Sequence, residues 1–137
     1  MPRISTSMLR PFAVTCLVAV ASLGWTGWAA ACSSGNYDLN TQAEVDALGA
    51  TGCDSVSGYL YISNSTDITN LDGLANITSV GGLSIIYNDS LTNLDGLANI
   101  SGSVGGDLYI YNNTALTNLD GLVNLTSVGA ALFIRSN

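Results

Sequence analysis

Three aspartates that recur at nearly constant spacing are the residues of this chain best suited to bind a metal ion. Asp72, Asp95 and Asp120 each precede a glycine and lie 23 and 25 residues apart. Carboxylates aligned along a repeating fold can share a hard cation such as Ca²⁺. Asp-Gly is also ordinary turn chemistry, in which the aspartate side chain bonds to its own backbone. We favour the turn interpretation, so the sequence predicts no metal site, and these carboxylates are the only candidates for one.

The composition excludes most catalytic chemistry. The 137 residues include no histidine, which removes Ser-His-Asp and Cys-His catalysis and most zinc sites. They also include no lysine, which removes P-loop nucleotide binding and Schiff-base chemistry. We therefore predict a protein that is not an enzyme and needs no cofactor.

The charge balance limits the partners of the chain. Its net charge is −7, and after residue 31 the only basic side chain is Arg135, against ten acidic ones. Nucleic acids and anionic membranes both need Lys and Arg to meet their phosphates. The sequence thus predicts neither of them as a partner.

A phrase that occurs three times predicts the architecture. The sequence ITNLDGL or LTNLDGL occupies residues 68–74, 91–97 and 116–122. A period of this length is typical of a solenoid, whose units bury their apolar faces by stacking. Apolar residues three apart within the phrase predict a tight 3₁₀ turn. Each unit also contains a glycine pair or similar turn, namely Gly81-Gly82, Gly105-Gly106 and Gly129-Ala130.

An alternating apolar run in each unit predicts parallel strands stacked on one another. The runs are Leu60-Tyr61-Ile62, Leu83-Ser84-Ile85, Leu108-Tyr109-Ile110 and Leu132-Phe133-Ile134. Because side chains alternate in a strand, Leu and Ile point inward and the residues between them point outward. At the polar bend that follows, we predict that the amides of Asn88, Asn113 and Asn137 satisfy buried backbone groups; the first unit has Ser65 there.

The outward row is the best candidate binding surface, and we call it the strand face. Tyr and Phe on a rigid sheet give a large contact area at little entropic cost. Aromatic residues also have high strand propensity and stack along strands, so a purely structural explanation of these aromatic residues stays open. The strand face comprises Tyr61, Ser63, Ser84, Ile86, Tyr109, Tyr111, Phe133 and Arg135.

The first 31 residues read as a secretory signal peptide. Arg3 and Arg10 precede an apolar stretch, and Ala29-Ala30-Ala31 matches the small residues of a cleavage site. The alternative is an N-terminal membrane anchor, but Gly24, Thr26 and Gly27 interrupt the apolar run, which a spanning helix would extend over about 20 residues.

Residues 32–57 are predicted to form an N-terminal cap on the repeats of 58–137, which comprise three full units and a partial fourth. Thr41 and Glu44 have capping-box spacing and predict a short helix over about 41–48, ended by Gly49 or Gly52. A helix there would cover the apolar end of the stack. The chain stops partway into the fourth unit, so we expect it to be a fragment of a longer protein with further repeats.

Two cysteines follow the signal peptide, and their state has two explanations. Cys32 and Cys53 form an even pair in an exported chain, which favours a disulfide. Cys32 also follows Ala30-Ala31 directly, as a lipid-modified cysteine follows its small residues. A lipid at Cys32 would anchor the protein in a bacterial envelope and leave Cys53 free.

The pattern L-x-I-x-x-N-x-x-L-x-x-L-x-G-L resembles leucine-rich repeats of the receptor L-domain type. These occur in growth-factor and insulin receptors, and a similar form occurs in fungal cell-surface proteins. The resemblance covers residues 32–137 and implies a right-handed β-solenoid of parallel strands with a short N-terminal capping helix. It also implies a bridge between Cys32 and Cys53.

We therefore expect an exported cell-surface or secreted recognition module that binds a protein or glycan through its strand face, without catalysis. The alternative is a structural or adhesion segment of a longer surface protein, or a lipoprotein anchored at Cys32. The sequence does not identify a ligand.

Overall fold

The computed structural model describes Cys32 and residues 34–137. The predicted signal peptide, residues 1–31, lies outside the described residues. Within the described chain, seven strands and one helix follow this order: β1 (Tyr37–Leu39), α1 (Gln42–Ala50), β2 (Ser55–Ser65), β3 (Ser79–Asn88), β4 (Gly102–Val104), β5 (Leu108–Tyr111), β6 (Leu125–Val128) and β7 (Leu132–Arg135).

The strands form two sheets, and every pairing is parallel. The larger sheet has the order β1-β2-β3-β5-β7, and β4 pairs with β6 in the smaller one. Equivalent positions lie opposite one another, since Leu60 pairs with Leu83 and Leu83 with Leu108. These leucines and the isoleucines two residues later are buried, so the predicted parallel strands are confirmed, as are the inward positions of β2, β3 and β5. The predicted inward residues of β7, Leu132 and Ile134, are instead 60% and 45% exposed.

Strand β1 was not predicted. It precedes the helix and pairs with β2, with Tyr37 opposite Leu60 and Leu39 opposite Ile62. Both of its outer residues are buried, and Asp38 between them is exposed. The segment before the helix therefore adds a strand to the sheet, and the predicted boundary at residue 57 falls inside β2.

The helix begins as the sequence predicts. Thr41 is its N-cap, and the Glu44 backbone N–H donates to the Thr41 hydroxyl at 3.3 Å. In return the Thr41 N–H donates to the Glu44 carboxylate at 3.1 Å, which completes the capping box and satisfies two helix-end donors. Val45 and Leu48 are the buried side chains of the helix.

The helix runs two residues further than predicted, because Gly49 does not end it. Three 3₁₀ turns lie between the strands, at Asp72–Leu74, Asp95–Leu97 and Asp120–Leu122. A Cβ at Gly49 would overlap the backbone carbonyl of Gly73, so the missing side chain lets the helix approach the first 3₁₀ turn. The helix ends at Ala50 with Thr51 as its C-cap, and Gly52, the other predicted end, follows with a φ of +72°. That left-handed conformation is one that glycine adopts without strain.

The predicted disulfide between Cys32 and Cys53 is present, with a Cα–Cα distance of 5.6 Å. It closes a loop of 21 residues, and such a closure stabilises a fold by about 3 kcal/mol in the chain-entropy description. Both sulfurs are engaged, so Cys32 has no thiol available for a lipid in this structure.

The glycine pair at 81–82 lies within β3 and is not the turn that the sequence predicted. Its position follows from Tyr59, whose side chain crosses the next two repeats. A Cβ at Gly82 would overlap the Tyr59 ring, and one at Gly106 would lie 2.8 Å from the Tyr59 hydroxyl oxygen. The hydroxyl donates to the Asp107 carboxylate at 2.9 Å. Glycine is needed here for space, so that one side chain can span three strands.

The Tyr59–Asp107 contact predicts a pH-dependent stability. Donation to the Asp107 carboxylate raises the pKa of Tyr59 above its ordinary value of 10.0. A raised folded-state pKa means that the contact stabilises fully below pH 10 and is lost as pH rises through the folded-state pKa. We expect Tyr59→Phe to melt at a lower temperature than the wild type at neutral pH, with a gap that closes in strong alkali.

Thermal melts of both proteins across this pH range test the prediction. The matched control is Tyr61→Phe, which removes a hydroxyl from the neighbouring ring, stacked 5.5 Å away. It should melt like the wild type at each pH. A Tyr59→Phe gap that is the same at neutral pH and in alkali would mean that the phenol does not act through Asp107.

The asparagines at the bend form the predicted hydrogen-bonded column. The Asn113 side-chain oxygen accepts from the Asn88 backbone N–H at 3.2 Å and from the Asn88 amide at 3.0 Å. Asn137 relates to Asn113 in the same way. Each amide also donates to a strand carbonyl of the preceding repeat, as Asn88 does to Ile62. The column stops at Ser65, and the buried Asn88 side-chain oxygen has no partner.

Candidate functional site

The sheet aligns the strand-face residues in two columns. Tyr61, Ser84, Tyr109 and Phe133 are successive register partners. Ser63, Ile86, Tyr111 and Arg135 form the second column in the same way. The parallel register therefore brings all eight predicted residues onto one face of the larger sheet.

Two of the eight residues expose little surface. Ser84 is 4% exposed and Ser63 is 8% exposed. Ser84 lies between Tyr61 and Tyr109 in its column, and larger neighbours cover so short a side chain. The contact surface of the strand face therefore lies mainly on its aromatic residues.

The aromatic residues near β7 form a cluster of tilted rings. Tyr111 lies edge-on to Phe133, with ring centroids 5.6 Å apart and planes at 90°. Tyr109 contacts the same ring at 6.3 Å and 62°. Edge-to-face pairs of this kind add stability beyond the area they bury.

Tyr87 joins this cluster and was not predicted as a site residue. Its ring lies 5.6 Å from that of Tyr111 at 76°, and the residue is 48% exposed. It follows β3's outward position Ile86 directly, so the alternation of the strand would turn it inward. A left-handed backbone, with a φ of 55°, turns it outward instead.

That backbone conformation recurs in each repeat. The equivalent residues Asn64, Asn112 and Ser136 all have a φ of 55°. Asparagine adopts this conformation with little strain, whereas a bulky side chain does so rarely. The sequence signal for Tyr87 is that it is the one bulky residue among small polar residues at this bend position.

Arg135 supplies the cluster with a positive charge. Its guanidinium lies over the Phe133 ring, 5.5 Å from the ring centroid, which is a favourable cation–π distance. Together the residues line an open cleft of about 560 Å³. We call it the aromatic cleft, and its defining residues are Tyr87, Tyr109, Tyr111, Phe133 and Arg135.

The aspartate column lies elsewhere and makes a different contact from the one predicted. Asp72, Asp95 and Asp120 are exposed at the starts of the three 3₁₀ turns. In each turn the side chain that accepts the aspartate N–H belongs to the asparagine two residues earlier, as Asn70 does for Asp72 at 3.1 Å. The expectation that the aspartate supplies this bond was wrong. Within the described chain, no three acidic, histidine or cysteine side chains are grouped to hold a metal.

The structure defines a repeat protein whose larger sheet is built from parallel strands, with 3₁₀ turns between successive strands. The chain belongs to the Receptor L domain family, whose family model matches residues 52–137. The resemblance seen in the repeated phrase is thereby confirmed. No curated protein and no solved structure matches the chain.

Membership in this family bears on function at a general level. Receptor L domains are extracellular ligand-binding modules of receptors, which fits a non-catalytic binding role. The disulfide between Cys32 and Cys53 agrees with an oxidising, extracellular setting. In the described part of the chain, no helix has the length and apolar character needed to span a membrane.

Proposed function

We propose that the protein is an exported recognition module that binds a protein or a glycan through its strand face. The observation that carries the proposal is the cluster of Tyr109, Tyr111 and Phe133 on that face, with ring pairs 5.6 and 6.3 Å apart. Tyr109 and Tyr111 are partly exposed, so the cluster offers contact surface in the free protein. Rigid aromatic residues of this kind dominate binding energies at many interfaces.

The test is an array of extracellular proteins and of glycans probed with the disulfide-bonded protein. The variant is Tyr109→Ser with Tyr111→Ser, which truncates two rings and keeps the inward leucine and isoleucine of β5. We expect the double variant to lose at least roughly ten-fold in affinity for the array partners, since each buried aromatic anchor contributes strongly to binding.

The matched control is Thr69→Ser with Thr92→Ser, two exposed changes in the repeated phrase, away from the strand face. The control should bind like the wild type, and all three proteins should melt cooperatively. Equal binding by the wild type and the tyrosine double variant, or no binding by either, would contradict a recognition role for the strand face. A spacer or scaffold role would then be the better explanation.

We also propose that residues 1–31 are removed on export, leaving a cap at 32–57 and repeats at 58–137. In this proposal the repeats coil as a right-handed solenoid and α1 caps their first turn. The proposal is supported by the small residues before Cys32, by the contact of Gly49 with the first 3₁₀ turn, and by the disulfide that ties β2's start to Cys32.

The intact mass of the exported protein tests this maturation. We expect a chain that starts at Cys32 and whose two thiols become alkylatable only after reduction. Acyl chains on the protein together with one alkylatable thiol would identify a lipoprotein anchored at Cys32 and would contradict the proposal. Expression of the full chain in a host with a secretory pathway provides the material.

A further inference from the structure

The aromatic cleft combines ring faces with neutral hydroxyl groups and a single charge. Three of its five defining residues are tyrosines, and the hydroxyl of Tyr61 extends this surface along the sheet. At the other edge of the sheet, Asp38 is exposed and in register with Tyr61, and it carries a negative charge. A partner that fits this surface needs many hydrogen-bonding groups, few charges and apolar patches between them.

From this chemistry we infer that the ligand of the aromatic cleft is a neutral carbohydrate chain. The inference rests on the proposed recognition function of the strand face. A pyranose ring presents polarised C–H groups on its faces and hydroxyls around its rim. The C–H groups pack on the negative faces of Tyr109 and Tyr111, while the Arg135 guanidinium and the tyrosine hydroxyls bond the rim.

The size and charge of the cleft favour a carbohydrate over a protein. Its volume of about 560 Å³ lies within the range of about 300–1,000 Å³ that small-ligand sites occupy. A stable protein interface buries more than about 1,000 Å² and is commonly steered by complementary charge. After residue 31 the chain carries ten acidic residues and one arginine, and such a surface would repel a polyanionic partner.

The conformation of Tyr87 supplies an independent argument for a binding site. Its φ of 55° is one that asparagine accepts with less strain, and asparagine occupies the equivalent positions 64 and 112. The fold uses this left-handed bend in every repeat but does not require a bulky tyrosine there, and residues held under strain cluster at functional sites. The strain places the Tyr87 ring beside Tyr111 as an outer wall of the cleft, where it restricts how a sugar ring lies.

Two reciprocal substitutions, Tyr87→Asn and Asn64→Tyr, distinguish an effect on carbohydrate binding from an effect of backbone strain. Tyr87→Asn removes the wall and relieves the strain, so it should melt at or above the wild-type temperature while weakening carbohydrate binding roughly ten-fold. The matched control is Asn64→Tyr, which introduces the same strain one repeat away. It should lower the melting temperature without weakening carbohydrate binding.

The probes are neutral hexasaccharides of β-linked glucose, mannose and N-acetylglucosamine, with hexagalacturonate as the charged comparison. Titration calorimetry measures affinity, and saturation-transfer NMR identifies the sugar protons in contact. We expect binding of at least one neutral hexasaccharide at millimolar concentration or below, and weaker binding of hexagalacturonate.

Three outcomes would overturn the inference. They are no binding of any neutral hexasaccharide, tighter binding of hexagalacturonate, or neutral binding that Tyr87→Asn leaves unchanged. The array described above distinguishes this failure from that of the wider proposal. If only array proteins bind, and binding depends on Tyr109 and Tyr111, the strand face is a recognition surface and the carbohydrate inference alone is wrong.

Discussion

Replacing Gly96 by alanine should prevent the repeats from packing in their native arrangement. We expect Gly96→Ala to lower the free energy of unfolding by about 3 kcal/mol or more and the melting temperature by more than about 10 °C. Added volume in a well-packed interior forces neighbouring groups to shift, and the groups concerned here are backbone atoms.

The cause is the close approach of successive 3₁₀ turns. A Cβ at Gly96 would overlap the Leu71 carbonyl carbon and oxygen in the preceding repeat and lie 2.8 Å from the Asp72 nitrogen. Gly121 faces Leu94 in the same way. Backbone atoms in a turn cannot rotate away as a side chain can, so both turns would have to move apart. That movement would also separate the buried Leu71, Leu94 and Leu97.

Gly105→Ala is the matched control for this prediction. A Cβ at Gly105 would meet only the Gly81 carbonyl oxygen, at 3.7 Å, which is ordinary contact. This substitution should be neutral or stabilise by up to about 1 kcal/mol, because alanine restricts the unfolded chain. Calorimetric melts and circular dichroism of both variants provide the comparison. Equal melting temperatures for Gly96→Ala and the wild type would mean that the turns are not in close contact in solution.

These glycines show why part of the fold could be predicted from sequence and part could not. Alternating Leu and Ile, such as Leu83 and Ile85, report burial along a single strand, and this information is local. The requirement for glycine at 82 and 96 comes from residues one repeat away. The sequence therefore predicted glycine as turn chemistry, although it serves close packing between repeats. Strand β1 was missed because its three residues are too few to show a period.

The candidate site could likewise be predicted from the sequence only in part. Repetition predicted which positions share a face, since the matching apolar runs of parallel strands align Tyr109 with Phe133. It did not predict how much of Ser84 is covered, because exposure depends on the size of neighbours across the sheet. Tyr87 was missed because strand alternation assigns it to the inner side. Only the left-handed backbone at the bend reverses that assignment.

Replacing Asn113 by alanine is the second substitution from which we expect a large effect. Asn113 is 0% exposed, and its side chain contacts three successive repeats. Its oxygen accepts two hydrogen bonds from Asn88. Its amide lies 2.9 Å from both the Ile85 carbonyl oxygen and the Asn137 side-chain oxygen. Alanine would leave the Asn88 N–H and the Ile85 carbonyl buried without these partners.

A buried polar group that loses its partner costs about 1–3 kcal/mol, so Asn113→Ala should destabilise the protein by roughly 3 kcal/mol. The control is Thr114→Ala, an exposed neighbour that should change stability by less than about 0.5 kcal/mol. Chemical denaturation measures both, and amide exchange at Asn88 reports the column directly. The orphaned oxygen of Asn88 beside Ser65 shows that the fold tolerates one vacancy at the first repeat. At the first repeat the missing asparagine leaves one unpaired acceptor, whereas alanine at Asn113 would interrupt the column on both sides.

If Asn113→Ala unfolds at the wild-type denaturant concentration and amide exchange at Asn88 is unchanged, the column does not hold the repeats together.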